Sequence, residues 1–267
     1  MERDFDQVPS EALMDVKMVL GDDGSPAADL AWDWINTHPW PGWNLEVVTA
    51  TEPPLAPPAA DGEPQLVEWE SPFGRVANPD ARLGKVLFLT TVADPRILLS
   101  RYTDAALLVV GSKGLNPLQA LLLGSTTEWL LADPPSPLLV ARSSHRVEKV
   151  LVAVDGSSHA HRAARAFTHL PWAGDTQAVM MVVDDGRIDR VSVEETLGVL
   201  REAAIEPEVH HAAGRPTNLI LQQIDRQVPD LVVLGTRGLT GLDRLRLGST
   251  AAAITRHGAC SVLAAAE

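Results

Sequence analysis

The chain has 267 residues, with 22 Lys+Arg against 35 Asp+Glu and a formal net charge of −13. At ~100–200 residues per domain this length fits two compact domains or one large one, and a 45% hydrophobic content suffices for packed cores. So acidic a balance excludes a surface that neutralises nucleic-acid phosphates and disfavours docking on an anionic membrane.

The N-terminal stretch MERDFDQVPSEALMD has neither a basic leader nor an apolar core, so no signal peptide is expected. Lys17-Met-Val-Leu-Gly-Asp-Asp23-Gly-Ser25 then reads as a strand ending at an acid. Ser25 caps the next helix and Pro26 is its first residue. Four of the seven tryptophans lie between Trp32 and Trp43. Core filling is the bland account of them, and an exposed aromatic patch for a protein partner the sharper one. Thr51–Asp80 contains PPLAPPAADGEP and SPFGRVANPD, where proline prevents a continuous helix. An irregular insertion over about 51–80 is expected, with Gln65–Glu70 its only short-helix candidate. It reads as a lid, a partner-binding loop or a plain solvated loop. Ala105–Val110 is apolar, Gly124-Ser125-Thr126 opens a helix, and Pro137–Val140 closes the half.

From Lys149 the series returns. Val150–Val154 is nearly all apolar, as in a strand covered on both faces. Ser157 or Ser158 caps a helix carrying Ala160, Ala163, Ala164 and Phe167 at helical spacing. Strand Ala178–Val183, helix Val193–Ala204, weak strand Glu208–Ala212 and a helix from Pro216 through Ile224 follow. Strand Leu231–Leu234, short helix Thr250–Arg256 and strand Ser261–Ala264 complete the half. No apolar run approaches the ~20 residues that span a bilayer. Cys260 is the only cysteine, so a reducing compartment fits and a cytoplasmic protein is expected.

The two halves repeat one another in order. Lys17–Ser25 matches Lys149-Val-Leu-Val-Ala-Val-Asp155-Gly-Ser157, and Leu108-Val-Val-Gly111-Ser-Lys-Gly114 matches Val232-Val-Leu-Gly235-Thr-Arg-Gly238. Each glycine pair leads, after nine residues, to Gly-Ser-Thr, at Gly124–Thr126 and Gly248–Thr250. A tandem duplication follows, with domains at 13–143 and 147–267. Alternating strands and helices predict two α/β domains with doubly wound parallel sheets.

Ligands of such sheets bind beyond the carboxyl ends of the strands, where strand order reverses. There Asp155 faces Gly235, the Gly235–Gly238 loop lets backbone N–H groups approach a ligand, and Gly248-Ser249-Thr250 offers a helix N-terminus to an anion. An acid opposite an anion nest suits a nucleotide. The competing account gives these glycines only tight turns and helix starts. No Gly-x4-Gly-Lys-Ser/Thr loop occurs. His210 and His211 point to opposite faces of a strand and are not expected to chelate a metal. His159 and His161 are expected at the surface.

Both halves resemble universal stress protein domains, and the whole chain resembles the tandem-domain members of that family. In ATP-binding members an apolar first strand ends in Asp-x-Ser, followed by Gly-x2-Gly-x9-Gly-Ser/Thr. The resemblance implies a Rossmann-like five-stranded parallel sheet per domain, in the order 3-2-1-4-5, and ATP as ligand, with or without Mg²⁺. It implies that Asp155 and Asp23 sit by the adenosine, with the backbone of Ala153 and Gly21 close by. Val182 and Ala50 would flank the adenine. Gly235, Thr236, Arg237, Gly238 and Gly241, then Gly248, Ser249 and Thr250, would hold ribose and phosphates. Gly111, Ser112, Lys113 and Gly114, with Gly124, Ser125 and Thr126, would do so in the first half. It also implies that last strands pair across a dimer interface, so a homodimer is a possible assembly.

The departures fall in the first half. Asp22 stands where the second half has Val154, the proline-rich segment replaces a helix, the third helix is shorter, and Ala106 replaces Asp230. Functionally the resemblance implies a nucleotide-dependent stress-response module. The sequence offers no general base and no paired Mg²⁺ carboxylates for phosphoryl transfer, so a binding protein is expected rather than a dedicated catalyst. The alternative is a scaffold that has lost nucleotide and works through the Trp/Pro-rich segment. An adenylating enzyme, betrayed by ATP-dependent pyrophosphate release, is the distant third.

Overall fold

A computed structural model describes residues 16–51, 71–112, 123–184, 186, 188–238 and 248–266. The first half runs β1 (Val16–Gly21), α1 (Pro26–Thr37), β2 (Trp43–Thr51), β3 (Val86–Val92), α2 (Pro95–Leu99), β4 (Leu107–Gly111), α3 (Ser125–Ala132) and β5 (Leu138–Ala141). The second runs β6 (Lys149–Val154), α4 (Ser158–Thr168), β7 (Gln177–Asp184), α5 (Arg190–Glu202), β8 (Glu208–Ala213), α6 (Pro216–Gln227), β9 (Leu231–Gly235), α7 (Ser249–His257) and β10 (Ser261–Ala265). The strands and helices predicted within the described residues are all present, with ends moved by a few residues.

Each half forms a parallel sheet in the order 3-2-1-4-5, and the two join into one ten-stranded sheet, β3-β2-β1-β4-β5-β10-β9-β6-β7-β8. The joint is antiparallel, pairing Val262 with Val140, Leu263 with Leu139 and Ala264 with Leu138. The last strands, which the family resemblance assigned to a dimer, therefore pair with each other inside one chain. Alanine-rich β10 suffices because it lies between β5 and β9, where both backbone edges are satisfied.

Side chains alternate across the sheet, so each strand feeds two cores. Val150 and Val152 enter a core shared by both halves, with Trp34 and Ile35 of α1, Phe167 of α4 and Leu200 of α5. Leu151 turns to the opposite face, against Ile220 and Ile224 of α6 and Ile254 of α7. The matching face of the first half holds Leu99 of α2 with Leu130 and Leu131 of α3.

The tryptophans resolve in favour of core. Trp32, Trp34, Trp40 and Trp43 are all buried, so they offer no exposed aromatic patch. Trp34 and Trp40 meet Trp172 of the second half at ring-centroid distances of 5.7 and 6.0 Å. His38 lies 4.5 Å from Trp172 and 4.5 Å from Trp34. Its Nδ1–H donates to the Trp34 carbonyl (2.7 Å), and Nε2 accepts from the Val147 amide (2.9 Å). That pairing fixes the tautomer and ties the first half to the link between the domains. The Gln65–Glu70 helix candidate lies outside the described residues. No helix among the described residues is long and apolar enough to cross a membrane.

Candidate functional site

The cavity that matches the expected site lies at the carboxyl ends of β6 and β9, on the α6/α7 face. Its volume is about 290 Å³, near the lower end of the ~300–1,000 Å³ usual for small-molecule sites. Ala153, Val183, Ile220 and Leu234 form an apolar wall. Asp155, Thr236, Arg237, Gly238 and the start of α7 (Gly248, Ser249, Thr250) line the polar side.

Local chemistry puts each group there. Asp155 Oδ1 accepts the Ser157 amide (3.0 Å) and Ser157 Oγ caps α4 by accepting the Ala160 amide (3.2 Å), so one turn carries both the acid and the cap. The Asp155 carboxylate then lies against Gly238, where a Cβ would come within 2.7 Å of Oδ2. Gly248 donates to the Thr236 carbonyl (2.9 Å), which closes the loop that precedes α7. Neither α7 nor α6 has a side-chain cap on its N-terminus, so the orphan amides and positive dipole ends of both remain for an anion. Thr217 and Thr250, at the first turns of the two helices, are hydrogen-bonded through their hydroxyls (3.3 Å).

Several expected residues are placed differently. Gly235 is glycine because of α4: a Cβ there would lie 2.6 Å from the Ala160 nitrogen. Gly111 is equally close to Ala27 of α1. These two glycines permit helix-to-strand packing, while Gly238 is the one that faces the carboxylate. Val182 packs into the core on the opposite face, and it is its neighbour Val183 that lines the cavity, because adjacent strand residues alternate. The Arg237 guanidinium crosses to the first half, reaching the Ala132 carbonyl (3.1 Å) and Asp133 (3.4 Å). His159 and His161, expected at the surface, turn inward instead. His159 is buried, 3.4 Å from Thr236 Oγ1, and His161 Nδ1 lies 3.1 Å from Thr196 Oγ1 of α5. Gly241, Lys113 and Gly114 lie outside the described residues.

Among the described residues the first half departs from this cavity's chemistry. Gly21 replaces Ala153, and Leu99 of α2 fills the space above it, 2.9 Å from where a Cβ would stand. At the start of α2, Asp94 stands in the place of Arg215. It accepts the Arg96 amide (2.9 Å) and pairs with the Arg96 guanidinium, an interaction that holds its carboxyl down at about 2. That helix end is thus capped by a negative charge. Asp23 keeps the turn, accepting the Ser25 amide (3.0 Å). Gly124, Ser125 and Thr126 open α3 as expected, and Thr127 behind them bonds the Gly111 carbonyl (2.8 Å). Ser112, whose carbonyl accepts the Gly124 amide, is buried. Ala50 lies near the end of β2, paired with Thr91.

The odd Asp22 has a structural partner that sequence reasoning missed. Arg75, from the proline-rich region, grips both oxygens of this fully buried carboxylate at 2.8 and 2.9 Å. It also reaches Asp29 of α1 (2.6 Å). Phe73 meanwhile covers Gly24, which has φ +69°. Residues 71–81 thus clasp the face that α5 covers in the second half. Asp230, absent from the first half, locks the start of β6 by accepting the Glu148 and Lys149 amides (2.9 Å each). Among the described residues no cluster of three or more His, Cys, Asp or Glu could hold a metal. Burial pushes the thiol of Cys260 up to about 11.

Comparison with known proteins agrees with this architecture. The family model described as the universal stress protein family matches twice, over residues 16–142 and 146–265. Universal stress protein YxiE of Bacillus subtilis is 29% identical over 144 residues, which is 43% of this chain and 96% of YxiE. A universal stress protein of Mycolicibacterium smegmatis is 26% identical over 190 residues, covering 63% of this chain and 64% of its own. Among solved structures, a universal stress protein from Archaeoglobus fulgidus superposes with a TM-score of 0.66 at 18% identity, over 92% of this chain and 97% of that one. Two matches of the family model, two copies of one strand order and a duplicated set of turns lead to one conclusion: the chain belongs to the universal stress protein family.

Proposed function

We propose that the second domain binds an adenine nucleotide, ATP with or without Mg²⁺, and that the chain is a nucleotide-dependent module of the stress response. The carrying observation is that Asp155 and the uncapped start of α7 converge on one cavity with an apolar wall. The apolar wall suits the base, the carboxylate a ribose hydroxyl, and the helix start the phosphates. A single carboxylate among the described lining residues supports a binding role over hydrolysis, since phosphoryl transfer uses a positioned base or metal carboxylates. Bound nucleotide would then act by favouring one of two states of the protein or of a partner complex.

The same reading gives one nucleotide per chain. In the first half Leu99 takes the space that the Ala153 methyl occupies in the second, and Asp94 sets a carboxylate at the start of α2, the counterpart of α6, beside the otherwise uncapped start of α3.

Isothermal titration of Mg-ATP into nucleotide-stripped protein, beside Ser249→Asp, tests both statements. Ser249 is the exposed first residue of α7, where an acid favours the helix dipole yet repels phosphate. One site that disappears in the variant, at an unchanged or higher Tm, is expected. Two sites would return the first half to the reading. An absence of heat, with no thermal shift, would overturn nucleotide binding and favour the scaffold.

A further inference from the structure

Arg237 carries an inference that rests on this nucleotide reading and concerns how occupancy is felt by the rest of the molecule. The residue lines the cavity, its backbone running between those of Thr236 and Gly238. That backbone is held in place. The Thr236 amide donates to the Ala265 carbonyl (3.1 Å), the Gly248 amide to the Thr236 carbonyl (2.9 Å), and Ser157 Oγ approaches the Arg237 carbonyl (3.4 Å). The end of its side chain reaches the other domain. Its guanidinium donates to the carbonyl of Ala132, the last residue of α3, at 3.1 Å. It also lies 3.4 Å from the largely exposed carboxylate of Asp133.

These contacts fit a C-terminal cap on α3. The last carbonyls of a helix have no partner within it and form its negative end, so a cation there stabilises the final turn. α3 and α7 are also joined beyond this point. Arg256 of α7 pairs with Glu128 of α3, and Arg142, just after β5, bonds the Thr255 carbonyl of α7. The helix whose start faces the cavity is therefore tied, near its C-terminal end, to the helix that Arg237 caps.

We infer that Arg237 is an interdomain latch which a polyphosphate would draw back toward the start of α7, uncapping α3 when ligand binds. A nucleoside polyphosphate brings several negative charges to amides beside Arg237's own Cα. The guanidinium's contacts with the end of α3 are a neutral carbonyl and an exposed carboxylate, a pairing of the kind that contributes little in water. The latch answers to the phosphates and not to the nucleoside. Linkage makes the effect reciprocal: whatever weakens the grip of α3 on Arg237 strengthens polyphosphate binding by the same factor.

Hydrogen exchange of the α3 amides, measured on the full chain alone, with saturating adenosine and with saturating ATP, reads the latch directly. ATP is expected to speed exchange at Leu130–Ala132 about two- to five-fold, while adenosine leaves it unchanged. Asp133→Ala should tighten ATP about two- to five-fold and leave adenosine affinity alone. Arg237→Gln should lower the preference for ATP over adenosine. Unchanged α3 exchange on ATP binding, or an Asp133→Ala variant with wild-type ATP affinity, would overturn the latch while leaving the nucleotide site standing. If neither adenosine nor ATP binds, the site reading itself falls and takes the latch with it.

Discussion

His38 makes the packing of the two halves sensitive to acid, and the size of the effect follows from its surroundings. Its ring is 1% exposed, between Trp34 and Trp172, with Nε2 accepting the Val147 amide. Burial brings its pKa from 6.5 down to about 4, opposed in part by the hydrogen bond to the Trp34 carbonyl, with lesser effects of Arg146, which lowers it, and Asp230, which raises it. Protonation would also turn Nε2 from acceptor to donor, facing an N–H. The folded state thus prefers neutral His38, whereas the unfolded chain takes up a proton below about pH 6.5. Stability from this group is fully present above pH 6.5, is lost as pH falls towards 4, and changes no further below that. At about 1.4 kcal/mol per pH unit the loss totals roughly 3 kcal/mol. Urea unfolding at intervals from pH 7.5 to 4, on wild type and on His38→Gln, measures it. Carboxylate titrations are common to both proteins, so the difference between the two curves isolates His38. The variant is expected to be less stable at pH 7.5, by about 1–3 kcal/mol for the Val147 amide left unpaired, and to show the shallower acid slope. Parallel curves for the two proteins would refute the account of a neutral, buried His38.

Two further predictions concern stability. Arg75→Met strands the Asp22 carboxylate, whose side chain is wholly buried, and should cost about 3–5 kcal/mol. Adding Asp22→Val, the residue type of Val154 in the second half, should recover most of that loss, and failure to recover it in a chemical-denaturation cycle would deny the pair its role. Gly235→Ala forces a Cβ to within 2.6 Å of the α4 backbone and should destabilise by about 1–3 kcal/mol. Gly238→Ala meets only a rotatable carboxylate, so calorimetric melting should stay near wild type while ATP affinity falls.

Much of the architecture was legible without coordinates. Duplicated blocks such as Lys17–Ser25 and Lys149–Ser157 carry their own strand, acid and cap, and such local patterns depend only on neighbours in the chain. The same holds for Ser157 and Ser25, which cap α4 and α1 as read. The face on which Val182 or Val183 falls was harder, because a fully apolar strand has no alternation to reveal its register. His159 was misplaced for a related reason. Its burial comes from the Thr236 loop, 77 residues away, which no helical periodicity announces.

Sequence by itself determined that the chain is two copies of one α/β unit, which turns bear the acid and the glycines, and that the first copy departs from the second. Those are properties of local pattern and repetition. Tertiary structure alone decided that β5 and β10 close one ten-stranded sheet within a single chain. It also decided that the four clustered tryptophans form core, and that Arg75 neutralises Asp22 across 53 residues. Only the packed structure shows Leu99 filling the first copy's space and Arg237 reaching from one domain to the next. A side chain's partner is chosen by what the fold brings within hydrogen-bonding range, and that distance is written in no single segment of the chain.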